Sequence, residues 1–204
     1  MNRKRQILIF IIIIPLLYIS FLRLEGYYLT AERVFYACEK GLHYGPSEKI
    51  LAQYELSKGS KLIVGKWEGN LSAIPVEPAF GILWKLKSGG VSGLIPSDKE
   101  ISTYFVGDGR IIGLTSNKDV KEVSCRIEYG DINYPSIKEI SMLVDQDGYF
   151  TGIWGEQKGE DYYEYISYLE GKNGKGQVIY RDGKSSDGTY YKDGVLNDTE
   201  GKRE

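Results

Sequence analysis

Apolar and polar residues follow three different patterns along this chain of 204 residues. Residues 7–22 form an uncharged run rich in Ile, Leu and Phe, which follows a basic head. Residues 30–42 place apolar side chains at helical spacing. From Lys49 onward, short alternating segments are separated by Gly-rich turns. These patterns predict a membrane-spanning helix, then one amphipathic helix, then a β-rich remainder.

The first pattern predicts a membrane anchor over residues 7–23. No small residues follow the run at the spacing that signal cleavage requires, so an uncleaved anchor is favoured over a cleaved signal peptide. The run is shorter than the roughly 20 residues of an average span, and Tyr27 and Tyr28 suit the outer headgroup layer. Basic residues before the run predict that residues 1–6 stay in the cytoplasm and that the chain from residue 24 lies outside.

The second pattern predicts a helix that begins at Thr30 and ends near Leu42. Thr30 is a suitable N-cap, and Gly41 is a suitable helix stop. The apolar face of this helix is expected to contain Ala31, Val34, Phe35, Cys38 and Leu42.

The third pattern predicts about ten short strands in an antiparallel β-sandwich, with an immunoglobulin-like half over residues 110–181. Turns at Asp108-Gly109 and at residues 145–148 are expected to form hairpins. The fold class is therefore mainly β, with one exterior domain over residues 24–181. Residues 182–204 are predicted to be a polar tail, disordered apart from one last hairpin. The expected core consists of Val123, Cys125, Ile127, Leu143, Phe150, Ile153, Tyr165 and Ile179.

The charge of the exterior part argues against one class of partner. The chain has 26 basic and 28 acidic residues, and four of the basic ones lie within the first 23 residues. The remainder therefore carries a net charge of −6. Nucleic acid is disfavoured as a partner, because binding to phosphates depends largely on Lys and Arg.

The chain contains few residues of the kinds that carry catalysis. His43 is the only histidine, so a site with several histidine ligands is excluded. No G-x-S-x-G motif is present. Asp145 and Asp147 match part of a calcium loop, but the strand-like sequence after them favours a hairpin turn. No catalytic residue, metal or cofactor is therefore predicted.

Two cysteines, Cys38 and Cys125, are too few for a disulfide scaffold. Their apparently inward-facing positions favour two buried thiols, while a bridge between them stays open in an oxidising exterior.

A turn between the predicted helix and the first strand is the candidate partner-contact site. It contains His43, Tyr44, Gly45, Pro46 and Ser47. Loops held between rigid elements often carry recognition. The alternative is a purely structural corner, in which Gly45 and Pro46 redirect the chain and His43 caps the helix.

Several short motifs resemble a group of small exported proteins of spore-forming Gram-positive bacteria. These motifs are Thr30-Ala31-Glu32, Ala37-x-Glu39, His43-Tyr44-Gly45-Pro46-Ser47-Glu48, Gly65-Lys66-Trp67, Leu83-Trp84 and Val178-Ile179-Tyr180. The resemblance covers roughly residues 1–181. It implies a membrane-anchored, β-rich exported protein, and it supplies no catalytic residues.

The predicted function is a non-enzymatic binding module at the cell envelope, whose partner is an envelope protein or glycan. This hypothesis rests on the missing catalytic motifs and on 17 tyrosines, since exposed Tyr is a favourable contact residue. The alternative is a hydrolase that acts on envelope glycans with carboxylates alone. Such an enzyme needs two acidic groups in one cleft, about 5 to 10 Å apart.

Overall fold

The computed structural model describes residues 3–41, 45–87, 92–95, 99–106, 109–131, 134–155, 163–192 and 194–196, and for residues 3–8, 10, 92–95 and 196 it describes the backbone alone. Two α-helices come first, α1 (Arg3–Leu24) and α2 (Ala31–Gly41). Within the part of the chain described in this way, no helix combines the length and the apolarity that crossing a membrane requires. Strands make up 54% of the structure, so the mainly β fold class is confirmed.

The strands form three antiparallel sheets. Their bounds are β1 (Lys49–Glu55), β2 (Lys61–Trp67), β3 (Asn70–Ala79), β4 (Leu83–Leu86), β5 (Ser92–Ile95), β6 (Ile101–Val106), β7 (Arg110–Thr115), β8 (Glu122–Asp131), β9 (Tyr134–Leu143), β10 (Tyr149–Ile153), β11 (Tyr163–Lys172), β12 (Val178–Lys184), β13 (Tyr190–Lys192) and β14 (Val195–Leu196). The first sheet has the order β1-β2-β3-β4, with β5 also paired to β3. The second has the order β10-β7-β6, and the third β14-β13-β12-β11-β8-β9.

The chain divides into two compact units, and the first consists of Met1–Glu68 and Ser72–Gly93. In this unit, α2 buries one face against the first sheet. Thr30 caps the helix as expected, because its hydroxyl accepts a hydrogen bond from the Arg33 N–H at 3.4 Å. Val34 and Phe35 are fully buried and pack with Ile63, Ile74 and Val76 from the sheet. The predicted amphipathic helix is therefore confirmed over Ala31–Gly41, while Leu42 lies outside the described residues.

The second unit consists of Gly69–Leu71 and Leu94–Glu204. Its core is shared by the three-stranded and six-stranded sheets. Ile111 and Phe150 come from the smaller sheet and pack with Val123, Cys125 and Ile127 of β8. Two sheets with inward-facing apolar side chains on alternate positions give one core between them.

Half of the expected core is correct, because Val123, Cys125, Ile127 and Phe150 are all buried. The other half is wrong. The exposed fractions of the remaining side chains are 79% for Leu143, 66% for Ile153, 45% for Tyr165 and 41% for Ile179.

The errors have a common cause, which is a shift of one residue along a strand. Met142, Trp154 and Tyr180 are buried in place of their neighbours Leu143, Ile153 and Ile179. Ile166 packs against the core in place of Tyr165. Both residues of each pair are apolar, so alternation alone does not decide which of them faces inward. A shift of one position moves every side chain of a strand to the opposite face.

The turn at Asp145–Gly148 connects two sheets and is not a hairpin. β10 pairs with β7, whereas β9 pairs with β8. The Asp145 carboxylate accepts hydrogen bonds from the N–H groups of Asp147 and Tyr149 at 2.8 and 3.0 Å. Its side chain therefore shapes the turn where the chain leaves one sheet for the other.

The first sheet also departs from the prediction. Sequence analysis assigns no strand to residues 70–79, which contain Pro75 and Pro78, yet β3 spans them. The sequence predicts a further strand over residues 80–86, but the strand begins only at Leu83, because Phe80–Ile82 form a turn. A proline is tolerated in a strand only where no ladder hydrogen bond needs its nitrogen.

Part of the predicted tail is ordered in the six-stranded sheet. β12 runs past residue 181 to Lys184, and β13 and β14 follow it. Gly183 pairs with Tyr191, and the Gly194 N–H donates to the carbonyl of Arg181 at 2.9 Å. The last hairpin expected from the sequence is therefore present, while residues 197–204 lie outside the described part of the chain.

Candidate functional site

The outer face of the six-stranded sheet carries polar side chains at every second position of β8 and β11. On β8, Val123, Cys125 and Ile127 point into the core, so Ser124 and Arg126 point away from it. On β11, Leu169 is buried, so Tyr168 and Glu170 lie on the outer face.

Strand register then places these side chains in two adjacent rows. Arg126 lies opposite Glu139 on one side and opposite Tyr168 on the other. In the next row, Ser124 lies between Ser141 and Glu170, and Arg181 lies beyond Glu170. Directly opposed side chains on one face are neighbours.

These rows line a depression of about 390 Å³, which we call the outer groove. Its side chains include Ser124, Arg126, Glu139, Ser141, Tyr168, Glu170, Lys172, Arg181, Ser185 and Ser186. The volume falls within the roughly 300 to 1,000 Å³ of small-molecule sites. The lining is polar, with both signs of charge and several hydroxyl groups.

A network of hydrogen bonds holds one side of the outer groove. The Lys172 ammonium lies 3.0 Å from Glu170 and 3.5 Å from Glu122, and it donates to the Ser124 hydroxyl at 3.3 Å. The hydroxyls of Ser124 and Ser141 are 2.8 Å apart. The hydrogen bond to Glu170 raises the pKa of Lys172, so this lysine stays protonated at neutral pH.

Aromatic rings lie on the same side of the outer groove. The Arg181 guanidinium lies 5.2 Å from the centre of the Tyr191 ring, and the Tyr168 and Tyr191 rings are 6.5 Å apart. The Tyr168 hydroxyl donates to Glu170 at 3.3 Å. Burial, followed by the charge of Glu170, raises the pKa of Tyr168, so its hydroxyl remains a donor near neutral pH.

Arg126 is the least satisfied polar residue of the outer groove. Its Nε is buried and has no hydrogen-bond partner within the described part of the chain. Native structures leave few buried polar atoms without a partner, and each such atom requires an explanation. A ligand oxygen in the outer groove would become this partner once the guanidinium turns towards the groove.

The turn that the sequence singled out is described only in part. His43 and Tyr44 lie outside the described residues. Pro46 is exposed, Gly45 is half-buried and Ser47 is buried. The partner-contact role of this turn stays a prediction, and the contacts of its buried end show what holds it in place.

A buried glutamate on α2 holds the end of this turn, and sequence analysis missed it. Glu39 is 0% exposed. Its carboxylate accepts hydrogen bonds from the Ser47 N–H at 2.9 Å and from the Ser47 hydroxyl at 2.6 Å. Gly65 makes room for this contact, because a Cβ on Gly65 would lie 2.4 Å from the Ser47 hydroxyl. Glu39 follows Phe35 by four positions and so lies on the same helix face, and this spacing is a signal that could have identified it.

The cysteines do not form a reactive site. Both are free thiols, with Cys125 buried and Cys38 half-buried. Burial raises the pKa of Cys125 to about 12, and burial followed by the charge of Glu39 raises the pKa of Cys38. Each thiol is therefore protonated, and so weakly nucleophilic, at neutral pH.

Comparison of the chain with protein-family models, with curated proteins and with solved structures finds no match in any of the three.

Proposed function

We propose that this protein is a membrane-anchored, extracytoplasmic binding module that holds a glycan of the cell envelope in the outer groove. The observation that carries this proposal is the row of Glu139, Arg126 and Tyr168, in which the Arg126 Nε has no partner among the described residues.

The chemistry of the outer groove suits a carbohydrate. Each sugar hydroxyl both donates and accepts hydrogen bonds, so it is matched by guanidinium donors, carboxylate acceptors and Ser hydroxyls side by side. Tyr168 and Tyr191 add ring faces and edges at the rim, against which the apolar side of a sugar can pack.

The contacts favour binding over hydrolysis. Glu122 and Glu170 come close together, since each lies within 3.5 Å of the same ammonium group. A glycosidase needs one carboxyl group that carries a proton as the general acid. Both carboxylates are instead ion-paired with the Lys172 ammonium, so neither faces the outer groove as an unpaired acid. A hydrolase of envelope glycans is therefore the weaker proposal.

The membrane anchor is proposed from the full sequence of α1, including Ile7, Leu8 and Phe10, whose side chains lie outside the described part of the chain. The helix has 22 residues and is about 33 Å long, and it contains the uncharged run 7–22. Its apolar side chains are exposed, for example Ile11 at 62% and Leu17 at 65%. The Ser20 hydroxyl donates to the Leu16 carbonyl of the same helix at 2.9 Å, which satisfies a polar group without water.

The immunoglobulin-like arrangement and the resemblance to small exported proteins are part of the same proposal. Two antiparallel sheets around one core support an immunoglobulin-like arrangement over residues 110–181. The helix α2 and the corner at Gly45–Ser47 contain part of the motifs on which the proposed resemblance to small exported proteins of spore-forming bacteria rests.

Binding to cell-wall material tests this function. The full chain, purified in detergent, is incubated with purified cell-wall sacculi and sedimented. We expect the wild-type chain to sediment with the sacculi and Arg126→Ala to lose at least tenfold in affinity, about 1.4 kcal/mol. Arg126→Lys keeps the charge but loses the planar array of donors, so it should recover only part of the binding.

Lys175→Ala is the matched control, because Lys175 is an exposed cation in the turn between β11 and β12, outside the outer groove. Equal binding by the wild-type chain and Arg126→Ala would overturn the proposed site. Release of soluble sugar fragments from the sacculi by the wild-type chain would favour the hydrolase instead.

A further inference from the structure

The tip of the β3–β4 hairpin exposes two large apolar side chains. Phe80 is 73% exposed and Ile82 is 75% exposed. Phe80 has a φ of 50° and Gly81 a φ of 75°. Asn, Asp and Gly are the usual residues at such positions, and a bulky residue with positive φ is an outlier. The backbone therefore gives no reason for phenylalanine at this position.

Contacts within the first unit place this tip beside the end of α1. The rings of Tyr27 and Phe80 are 5.3 Å apart. Tyr28 and Trp84 exchange two backbone hydrogen bonds, at 2.8 and 2.7 Å. A single antiparallel bridge therefore attaches the segment that leaves α1 to β4.

A small apolar cavity shows which turns of α1 lie beside the β3–β4 hairpin. Ile19, Leu22, Tyr27 and Leu83, together with Arg23 and Arg33, line a space of about 250 Å³ beside the end of α1. Leu83 therefore lies level with the last two turns of the helix. These turns contain the end of the uncharged run 7–22.

Cations surround the same tip. Lys58, Lys85 and Lys87 line a depression together with Tyr27, Phe80 and one acidic residue, Glu77. Lys85 pairs with Glu77 at 3.1 Å, which leaves this surface with an excess of positive charge. Lysines beside exposed apolar side chains are typical of contact with anionic lipid headgroups.

We propose that the tip of the β3–β4 hairpin, with Phe80 and Ile82, inserts into the outer interface of the membrane beside α1, while Lys58, Lys85 and Lys87 contact lipid phosphates. This inference rests on the proposed anchor. Tyr27 and Phe80 form an aromatic pair at the headgroup level, and the hairpin fixes how the first unit stands on the bilayer.

The test measures lipid contact at the tip directly. The full chain is reconstituted into phosphatidylglycerol-containing vesicles with an environment-sensitive fluorophore attached through Phe80→Cys. Unsubstituted protein, treated in the same way, gives the background from Cys38 and Cys125. We expect a blue-shifted emission and strong quenching by lipids with nitroxide groups near the headgroup. The Glu48→Cys variant serves as the comparison and should lack both effects, because Glu48 is exposed and lies at the opposite end of β1 from the turn that contains Lys58.

The lysines provide a second measurement. In the triple variant Lys58→Gln, Lys85→Gln, Lys87→Gln, we expect the label at position 80 to lose quenching and blue shift, and added salt to have less effect on this variant than on the parent. Equal depth of the label in the parent and in the triple variant would overturn the role of the lysines.

One further experiment separates failure of the proposed insertion from failure of the proposed anchor. If the reconstituted chain stays with the vesicles during alkaline extraction, it is anchored in the bilayer. A chain that resists extraction but carries a water-exposed label at position 80 would overturn the insertion and leave the anchor in place. A chain that is extracted would overturn the anchor, and the insertion with it.

Discussion

Glu39 shows how one buried carboxylate can fix a corner of the chain. It is completely buried, and both of its oxygens accept hydrogen bonds from Ser47. A buried acceptor is stabilising only while its donors are present, and removing one partner leaves the other without compensation. The corner at Gly45–Ser47 therefore depends on a residue that lies eight positions earlier in the sequence.

The first prediction concerns this contact. Glu39→Ala leaves the Ser47 N–H and hydroxyl without their acceptor and should lower the free energy of unfolding by about 2 to 3 kcal/mol. Glu39→Gln keeps one acceptor oxygen and a similar shape, so its cost should be smaller. Urea titration of the full chain in detergent measures both. Ser47→Ala removes only the hydroxyl bond and should cost about 1 kcal/mol; if Glu39→Ala costs no more than Ser47→Ala, the carboxylate does not hold the corner.

Cys125 gives a prediction about pH. Its pKa is raised by burial from 9.0 to about 12 in the folded chain. Above pH 9 the unfolded chain loses this proton while the folded chain keeps it, so ionisation favours unfolding. The free energy of unfolding should therefore fall between about pH 9 and 12, by up to about 1.4 kcal/mol per pH unit from this thiol.

The Cys125→Ala variant separates this effect from tyrosine ionisation, since Tyr165 also has a raised pKa. Its unfolding free energy should fall less steeply above pH 9 than that of the wild-type chain. Parallel curves for the two proteins would show that the thiol does not contribute.

Among the structural elements, the sequence predicts the positions of the strands well, but it does not predict which face of each strand is buried. The sequence predicts strands over residues 101–106, 120–129 and 137–144, and the structure has β6 at Ile101–Val106, β8 at Glu122–Asp131 and β9 at Tyr134–Leu143. β8 alternates cleanly, with Val123 and Cys125 inside and polar residues outside. Where two apolar residues are adjacent, as in Met142-Leu143, the facing depends on the partner strand, which a single sequence does not reveal.

The candidate site was less predictable than the fold. The outer groove joins residues of β8, β9, β11 and β12. Its rows of side chains can be recognised only when the register of these four strands is known. Arg126, Glu139 and Tyr168 have no motif in common along the chain. Carboxylates and guanidinium groups on solvent-facing strand positions are also common, so composition alone does not single them out.

The Met142-Leu143 pair makes the register testable. Met142 is 2% exposed and Leu143 is 79% exposed. Met142→Ala should therefore cost about 2 to 5 kcal/mol, whereas Leu143→Ala should change stability by less than about 0.5 kcal/mol. Thermal unfolding of the two variants side by side gives the comparison. A larger cost for Leu143→Ala than for Met142→Ala would mean that β9 is shifted by one residue from the register that pairs Met142 with Val123.

The whole molecule consists of two compact β-rich units, and α1 belongs to the first of them. Polar side chains line the outer groove of the second unit, while α1 and the tip of the β3–β4 hairpin expose apolar side chains in the first. A protein that acts at the envelope needs both kinds of surface, one for lipid and one for its ligand. The orientation across the membrane is therefore the property on which the proposed function depends.

Orientation is tested with an epitope tag added after Glu204 of the full chain in a bacterial host. Arg3, Lys4 and Arg5 precede the apolar run, and Arg23 follows it, so the positive-inside tendency places the tag outside. Protease added to intact protoplasts should remove the tag without lysis. The variant with Arg3, Lys4 and Arg5 changed to Glu reverses the charge difference across the run, and a larger share of its tag should then be protected. Protection of the wild-type tag until lysis would place the outer groove in the cytoplasm, away from any envelope glycan.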